Sequence, residues 1–152
     1  GLLVAAGAVY SHQLRLFGNG MAGSVISTAA GKCTMGFSDA PIRGVFCNFL
    51  VCIAVWISFA AKDAAGKVIG LFFPIMIFVL CGFEHSVANM YYIGAGLMAR
   101  TVPEYLDAAL AAGLNPDVIN LGNFLFTNLL PVTIGNVLGG GVYWLAYLRK
   151  AD

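Results

Sequence analysis

The sequence predicts an all-α membrane protein, and three of its features support that fold class. Of the 152 residues, 60% are apolar and only 10% are charged, whereas an average soluble domain is about 45–50% apolar and about 25% charged. Mean hydropathy is +0.86, so these residues cannot cover a soluble surface. Long uncharged runs are present, and the short alternating segments of a membrane β-barrel are absent. Each span is therefore expected to be a helix, which satisfies its own backbone hydrogen bonds in lipid.

The composition also excludes several classes of function. A net charge of +1 provides no basic patch for a nucleic-acid backbone. The four cysteines lack the spacing of metal ligands, so no metal site is expected. No cofactor is expected either, and the protein is not expected to be an enzyme. The chain starts within an apolar run, without an initiator methionine or a signal peptide. We therefore expect a fragment of a longer multi-pass protein.

Charged residues divide the first part of the chain into three segments. Residues 1–11 are apolar but too short to cross a bilayer, and we expect them to be the end of a span. Residues 12–39 are rich in glycine, serine and threonine, which predicts an external segment with a short helix around 23–30. Residues 40–61 are predicted to span the membrane, because their uncharged run of 18 residues, 44–61, is of spanning length.

The segment 68–99 is predicted to be one span that is broken in the middle. Its ionisable groups, apart from cysteine and tyrosine, are Glu84 and His85, which lie close to its centre. The apolar pieces on either side, 68–80 and 87–96, are each too short to span. A glycine in the intervening C-G-F-E-H-S sequence frees the backbone for the break. Broken helices in mid-membrane are a recurrent way to build an ion site.

Two further segments complete the predicted topology. Residues 100–117 form an external loop, in which Pro103 begins and Gly113 ends a short helix over 103–112. Residues 118–149 form the last span. Four basic residues are compressed into two short stretches next to the spans, which favours a cytoplasmic position for these stretches. They are Lys62, Lys67, Arg149 and Lys150.

His85 is the leading candidate for chemistry, because an ionisable residue inside the membrane is a functional candidate by default. Histidine also ordinarily changes charge close to physiological pH. A small anion at the break could be held by His85 and by the N–H groups of Ser86 and Val87. The alternative is a buried neutral histidine bonded to a carbonyl group. Glu84 could pair with His85 or relay protons, or it could bond backbone N–H groups of the break or a neighbouring subunit.

Three more residues are candidates for the pore. Phe78 lies about two helical turns before the histidine, and it either constricts the path above the polar site or packs against lipid or the core. Asn48 and Asn136 are polar groups deep in apolar spans, where each either joins two helices or contacts the substrate.

The pair Gly135-x-x-x-Gly139 is typical of close helix packing.

Four motifs, which lie in order along almost the whole chain, carry a resemblance to a known family. They are A-G-K (30–32), R-G-V-F-C-N-F-L-V-C-I-A-V-W (43–56), G-F-E-H-S-V-A-N-M (82–90) and N-L-L-P-V-T-I-G-N-V-L-G-G-G (128–141). Together they resemble the formate/nitrite transporter family. The resemblance implies an aquaporin-like helical bundle of six spans in two inverted halves, and a homopentamer with one pore per protomer in the cytoplasmic (inner) membrane. It also implies that this chain covers the end of the third span and three complete spans after it, and that it lacks the first half of the protomer.

The resemblance also implies roles for individual residues. His85 matches the central pore histidine of the family, and Phe78 matches the aromatic constriction on its cytoplasmic side. Lys32 matches a lysine near the outer vestibule that attracts anions, while Asn48 and Asn136 match polar residues of the fourth and sixth spans. In one respect the sequence departs from the family: about five residues fewer separate G-G-G from Y-W in the last span, which implies a helix shorter by roughly 7 Å.

The resulting hypothesis is a channel or transporter for a small monovalent anion, formate above all. His85 would hydrogen-bond the anion and lend it a proton, because a neutral acid crosses an apolar slit at far lower cost than a bare charge. Nitrite and hydrosulfide members of the family share these motifs and are the alternatives. An alternative of another class is the membrane-anchor subunit of a redox enzyme, holding a haem or a quinone. A haem held between helices would need paired histidines within spans, whereas the two histidines of the chain are His12, in a predicted loop region, and His85.

Overall fold

A computed structural model describes residues 1–149 of the chain, with the exception of the side chain of Tyr147. The predicted cytoplasmic flank at Lys150 lies outside the described residues. Within them the chain forms seven α-helices, joined by turns and by short 3₁₀ and π-helical segments. The α-helices are α1 (Leu2–Tyr10), α2 (Gly20–Cys33), α3 (Asp39–Ala60), α4 (Ala64–Leu80), α5 (Ser86–Ala99), α6 (Pro103–Ala111) and α7 (Leu130–Leu148).

These helices form two compact units. The first contains Gly1–Gly36 and Ser86–Leu130, and the second contains Phe37–His85 and the chain from Pro131 onwards. The two halves of the broken helix therefore belong to different units, α4 to the second and α5 to the first.

In the first unit, α2 packs against α5 along small residues. A Cβ atom added at Gly96 of α5 would meet the Cβ atom of Ala29 of α2, so the two backbones approach closely. Glu104 of α6 accepts hydrogen bonds of 3.1 Å from Nε of Arg15 and 3.0 Å from Nδ2 of Asn19, which tie the loop before α2 to α6. The fully buried members of the apolar core include Val9, Ile26, Ile93, Tyr105 and Ile119.

In the second unit, α3 and α4 run antiparallel. Gly70, in the first half of α4, lies against Ile57, near the end of α3. Asp63 caps α4, because its Oδ1 atom accepts a hydrogen bond of 2.7 Å from the backbone N–H of Gly66. This cap starts the helix before the predicted boundary at Val68, so the first half of the broken span is longer than the uncharged run indicates.

The same unit places α7 parallel to α3. Gly135 and Gly139 of α7 lie against the backbones of Pro41 and Val45 of α3, so residue numbers rise together along the two helices. This contact is the close packing that the small-residue pair predicts. It also brings the carboxyl ends of α3 and α7 to the same end of the unit. The basic residues that follow these ends are Lys62 and Arg149.

The predicted break in the segment 68–99 is confirmed. Five residues separate the end of α4 from the start of α5. Gly82, among them, has φ +65°, a left-handed conformation that glycine adopts at little cost. Glu84 and His85 lie in this turn, as the sequence predicts.

The two short helices α2 and α6 follow their predicted signals, although their lengths differ. α2 is longer than the predicted helix around 23–30, because it continues to Cys33. α6 begins with Pro103 in its first turn, and Gly113 follows its end with φ +72°. Proline at the start and glycine after the end are therefore both in the predicted positions.

The last predicted span, 118–149, begins later and less regularly than expected. A 3₁₀ turn occupies Pro116–Val118, and a π-helical segment, Asn123–Leu129, precedes α7 and continues into it. The sequence pattern does not predict this π-helical start. Among the described residues, two helices are long and apolar enough to cross a membrane, Asp39–Ala60 and Asn123–Ala146.

Candidate functional site

The turn between α4 and α5 is closed by its own backbone. The N–H of Gly82 donates to the oxygen of Val79 at 3.1 Å, and that of Phe83 donates to the oxygen of Phe78 at 3.0 Å. These bonds satisfy carbonyl groups that the end of a helix otherwise leaves without partners. His85 then stands directly before the first residue of α5, where a helix begins with N–H groups that have no intrahelical acceptor.

α3 braces this turn through Arg43, which the charge pattern marks only as the end of a span. Its Nη1 atom donates to the oxygen of Gly82 at 3.3 Å, and its backbone oxygen accepts from the N–H of Glu84 at 3.3 Å. Phe46, one turn further along α3, stacks on Phe83 with the ring centroids 5.5 Å apart. α3 therefore holds the turn by its backbone, a guanidinium and a ring. Arg43 and Phe46 are the first and last residues of the R-G-V-F sequence that opens the second family motif.

Asn136 of α7 contacts the same turn, and its own orientation is determined by its partners. Its Nδ2 atom donates to the backbone oxygens of Gly44 and Glu84, both at 2.9 Å. A carbonyl oxygen can only accept, so these two bonds place the amide nitrogen and leave Oδ1 on the other side of the group. Oδ1 lies 3.4 Å from Nδ1 of His85.

This geometry selects one tautomer of neutral His85. Because Oδ1 of Asn136 is an acceptor, the imidazole nitrogen that faces it, Nδ1, carries the hydrogen. In the neutral ring Nε2 is then an acceptor, and protonation of the ring adds a hydrogen at that atom.

Asn48 of α3 belongs to the same group of contacts. Its Nδ2 atom donates to the backbone oxygen of Asn136 at 2.6 Å. Gly140 leaves room for this side chain, since a Cβ atom added there would lie 3.0 Å from Nδ2. Asn48 and Asn136 thus join α3 to α7, which is one of the two roles that their positions in the sequence allow.

Phe78 and Glu84 complete the set around the histidine. The ring of Phe78 lies beside His85, with centroids 6.1 Å apart and planes nearly perpendicular at 83°. Glu84 is buried, with 3% of its surface exposed, and its backbone N–H and oxygen bond to α3 and α7 respectively. Five of the six predicted site residues therefore lie together in the second unit. They are Asn48, Phe78, Glu84, His85 and Asn136.

The sixth predicted residue, Lys32, lies in the last turn of α2, in the first unit. Its Nζ atom is 5.4 Å from the centre of the Tyr92 ring, a cation–π arrangement. Its backbone oxygen accepts a hydrogen bond of 3.1 Å from Nδ2 of Asn128, and Oδ1 of Asn128 accepts one of 2.7 Å from Nδ2 of Asn89. The sequence did not indicate Tyr92, Asn128 and Asn89 as neighbours of Lys32. Their signal was available in part, because both asparagines stand inside the family motifs.

The cysteines form no group with the other potential metal ligands in the described part of the chain. None of the four cysteines forms a disulfide, and no three His, Cys, Asp or Glu side chains gather there into a possible metal site. Burial raises the pKa of Cys33 to about 11, against a smaller lowering by a hydrogen bond from the backbone of Asn120. Cys33 is therefore a poorly reactive thiol at neutral pH.

Comparison with known proteins agrees with the family motifs. The profile described as Formate/nitrite transporter matches residues 1–148. Formate channel FocA of Escherichia coli (strain K12) is 39% identical over 136 residues, which cover 85% of this chain and 48% of that protein. The uncharacterized transporter YrhG of Bacillus subtilis (strain 168) is 42% identical over 130 residues, which cover 82% of this chain and 42% of that protein. The chain spans about half the length of the curated relatives it matches.

A solved structure shows the same fold. The protein described as a pentameric formate channel with formate bound matches with a TM-score of 0.84 at 35% sequence identity, over 97% of this chain and 60% of that one. The predicted all-α, aquaporin-like helical bundle with a broken helix is thereby confirmed. Since the family profile extends over almost the whole chain, the chain belongs to the formate/nitrite transporter family.

Proposed function

We propose that this protein passes formate across a membrane, with His85 as the group that bonds the anion and lends it a proton. The observation that carries the proposal is the setting of His85. It stands at the break of an apolar helix, with Asn136 at Nδ1 and the ring of Phe78 at its side. The likeness to a formate channel with formate bound supports formate as the substrate.

The orientation of His85 determines where the proton moves. With Nδ1 committed to Asn136, the neutral ring offers an anion only the lone pair of Nε2, which repels it. When Nε2 takes up a hydrogen ion from the aqueous solution, the imidazolium donates that N–H to a formate oxygen. Transfer of the proton to this oxygen yields formic acid and returns the ring to its neutral tautomer. One proton is taken up and one is given to formate, so the cycle balances.

The surroundings of the ring favour the neutral acid at the narrow point. A bare carboxylate in an apolar slit has a far larger desolvation cost than a hydrogen-bonded neutral acid. We assign Phe78 to the apolar constriction beside His85 and Lys32 to the attraction of anions at the outer mouth. Asn48 and Glu84 act through the hydrogen bonds by which they hold the helices and the turn around the ring.

The proposal includes a membrane setting and an assembly. It describes a multi-pass homopentamer in the cytoplasmic membrane, with one pore in each protomer, and the pentameric neighbour supports this assembly. The parallel course of α3 and α7 supports one cytoplasmic side for the basic residues that follow both helices. Because the chain spans about half the length of its relatives, the pore also needs a first three-helix half. The intact mass of the purified protein tests whether that half is on the same polypeptide.

Formate flux into liposomes tests the proposed function. The full-length protein, reconstituted alone, should carry labelled formate inward faster as the external pH falls, since water supplies the proton at Nε2. His85→Ala should abolish this pH dependence. His12→Ala is the matched control, because it removes the other histidine of the chain from an exposed position, and it should leave flux and pH profile unchanged. An H85A protein with the wild-type pH profile would refute the role of the imidazole.

Two other anions provide the test of substrate choice. The family description includes nitrite, and the same liposomes can be loaded with nitrite or hydrosulfide at equal gradients. Formate flux is expected to be the largest of the three. A larger nitrite or hydrosulfide flux would reassign the substrate within the family, and a haem absorption band in the purified protein would favour the redox-anchor alternative.

A further inference from the structure

A second hydrogen-bond system lies in the first unit, with Asn128 at its centre. Asn128 stands in the π-helical segment Asn123–Leu129 and has 0% of its surface exposed. π-Helical turns are rare and occur frequently at functional sites. A buried carboxamide is costly unless it is hydrogen bonded, so the partners of this side chain indicate its role.

The two ends of the Asn128 carboxamide bond to different helices. Nδ2 donates to the backbone oxygen of Lys32 at 3.1 Å, while Oδ1 accepts from Nδ2 of Asn89 at 2.7 Å. The oxygen of Lys32 belongs to the last turn of α2, whose carbonyl groups a helix leaves without internal donors. Asn128 therefore supplies a donor to the end of α2 and connects that end to α5 through Asn89.

The side chain of Lys32 meets the same helix. Its ammonium lies 5.4 Å from the ring centre of Tyr92, and Tyr92 is three residues after Asn89 on α5, on the same side of the helix. Lys32 is thus held twice against α5, by its backbone through Asn128 and by its ammonium through the ring. Fixing the backbone of Lys32 limits where its ammonium can reach.

We propose that Asn128 is a positioning residue that holds the Lys32 ammonium over Tyr92 and thereby sets the strength with which the protein attracts its anion. The inference rests on the proposed function, in which Lys32 attracts formate. It adds a residue to the anion pathway that makes no contact with the anion itself and acts through the end of α2.

The position of Lys32 can be measured without transport. Asn128→Leu keeps the approximate size of the side chain and removes both hydrogen bonds, and Thr127→Val is the matched control from the same π-helical segment. Modification of Lys32 by an amine-reactive ester should become about two- to tenfold faster in N128L. This factor corresponds to the free energy of one ordinary hydrogen bond. In T127V it should match the wild type. Lys62, in the other unit, is the internal reference in each sample.

Formate uptake separates positioning from general damage. N128L should raise the half-saturating formate concentration by a similar factor and leave the maximal flux and its pH profile unchanged. It should also weaken the inhibition by salt between about 0.01 M and about 1 M, over which the Debye length falls from about 30 Å to about 3 Å. Lys32→Met should act in the same way. The double variant should be no worse than K32M, because Asn128 acts through the lysine.

Several results would overturn the proposal. They are an unchanged labelling rate in N128L, a lower maximal flux at unchanged half-saturation, and additive effects in the double variant. If the wild type carries no formate, the proposed function fails, and the labelling rates alone decide whether Asn128 positions Lys32. If N128L does not assemble, Asn128→Ala removes the same bonds with a smaller side chain, and the same expectations apply to it.

Discussion

The close contact between α3 and α7 predicts that alanine destabilises the protein at two glycines. A Cβ atom at Gly135 would collide with the carbonyl oxygen of Pro41 and lie 2.8 Å from its carbon. A Cβ atom at Gly139 would collide with the carbonyl oxygen of Val45 and lie 2.9 Å from its carbon. Carbon atoms in ordinary contact are about 3.5–4.0 Å apart, so the helices would have to separate by roughly 1 Å. The obstacle is backbone, which cannot rotate away as a side chain can.

Gly141, in the same helix, is the matched control from which the expected loss of unfolding free energy can be estimated. Gly141 has no atom within 4 Å of an added Cβ. Alanine in place of glycine within a helix ordinarily stabilises it by about 0.5–1 kcal/mol, and overpacking costs about 1–3 kcal/mol. Gly141→Ala measures the gain in helix propensity alone, whereas Gly139→Ala measures that gain together with the cost of overpacking. The difference in unfolding free energy between the two variants is therefore expected to be about 1–3 kcal/mol, with G139A the less stable.

Thermal unfolding of the purified protein in detergent measures this difference. In a protein of this size, 1 kcal/mol corresponds to a shift in Tm of about 2–4 °C. G135A and G139A should therefore unfold several degrees below G141A, and the Tm of G141A should equal or exceed that of the wild type. Equal Tm values for G139A and G141A would refute the close approach of the two backbones, because the helix-propensity gain is the same in both.

The remaining predictions concern the first unit. Burial raises the pKa of Cys33 to about 11, so about one thiol in a thousand is ionised at pH 8. Maleimide at that pH should modify an exposed Thr34→Cys thiol and spare Cys33, whose reactivity should rise as the pH approaches 11; ready modification of Cys33 at pH 8 would contradict this. Arg100 donates to the backbone oxygen of Ile119 and pairs with Asp117 at 3.3 Å. Since the Asp117 side chain is 88% exposed, D117N should cost about 0–1 kcal/mol, whereas R100M removes the donor to a backbone oxygen and should cost about 1–3 kcal/mol. Chemical unfolding compares the two, and equal losses would argue against the carbonyl contact.

The arrangement of helices could be predicted from the sequence because charges in an apolar chain mark where a helix leaves the lipid or breaks. Glu84 and His85 stand at the centre of an uncharged segment, and the structure breaks the helix there. Pro103 and Gly113 likewise mark the start and the end of α6, since the first cannot donate a backbone N–H and the second adopts φ +72°. Such signals are local, so one sequence is enough to read them.

The partners of the buried polar groups could not be predicted, because their hydrogen bonds join residues far apart in the chain. Asn136 bonds to Gly44, 92 residues away, and Asn128 bonds to Lys32, 96 residues away. The apolar runs around both asparagines contain too few polar residues to show which side of the helix faces a neighbour. Arg43 was missed for a related reason. Its charge indicated a span end, whereas its bond to the turn depends on how α3 packs against α4.

Helix packing and the setting of His85 depend on neighbouring residues of α7. Asn136 follows Gly135 directly, and its Nδ2 atom reaches the oxygen of Gly44 at 2.9 Å because the two backbones approach so closely there. A separation of roughly 1 Å would carry this contact beyond the 2.7–3.2 Å range of an N–H···O bond and release the amide to rotate. Nδ1 of His85 would then lose its fixed acceptor, and with it the preference for protonation at Nε2. Gly135→Ala should therefore weaken the pH dependence proposed for formate flux as well as the stability, while Gly141→Ala should leave that pH dependence intact. A folded G135A protein with the wild-type pH profile would show that the tautomer of His85 does not depend on the contact between α3 and α7.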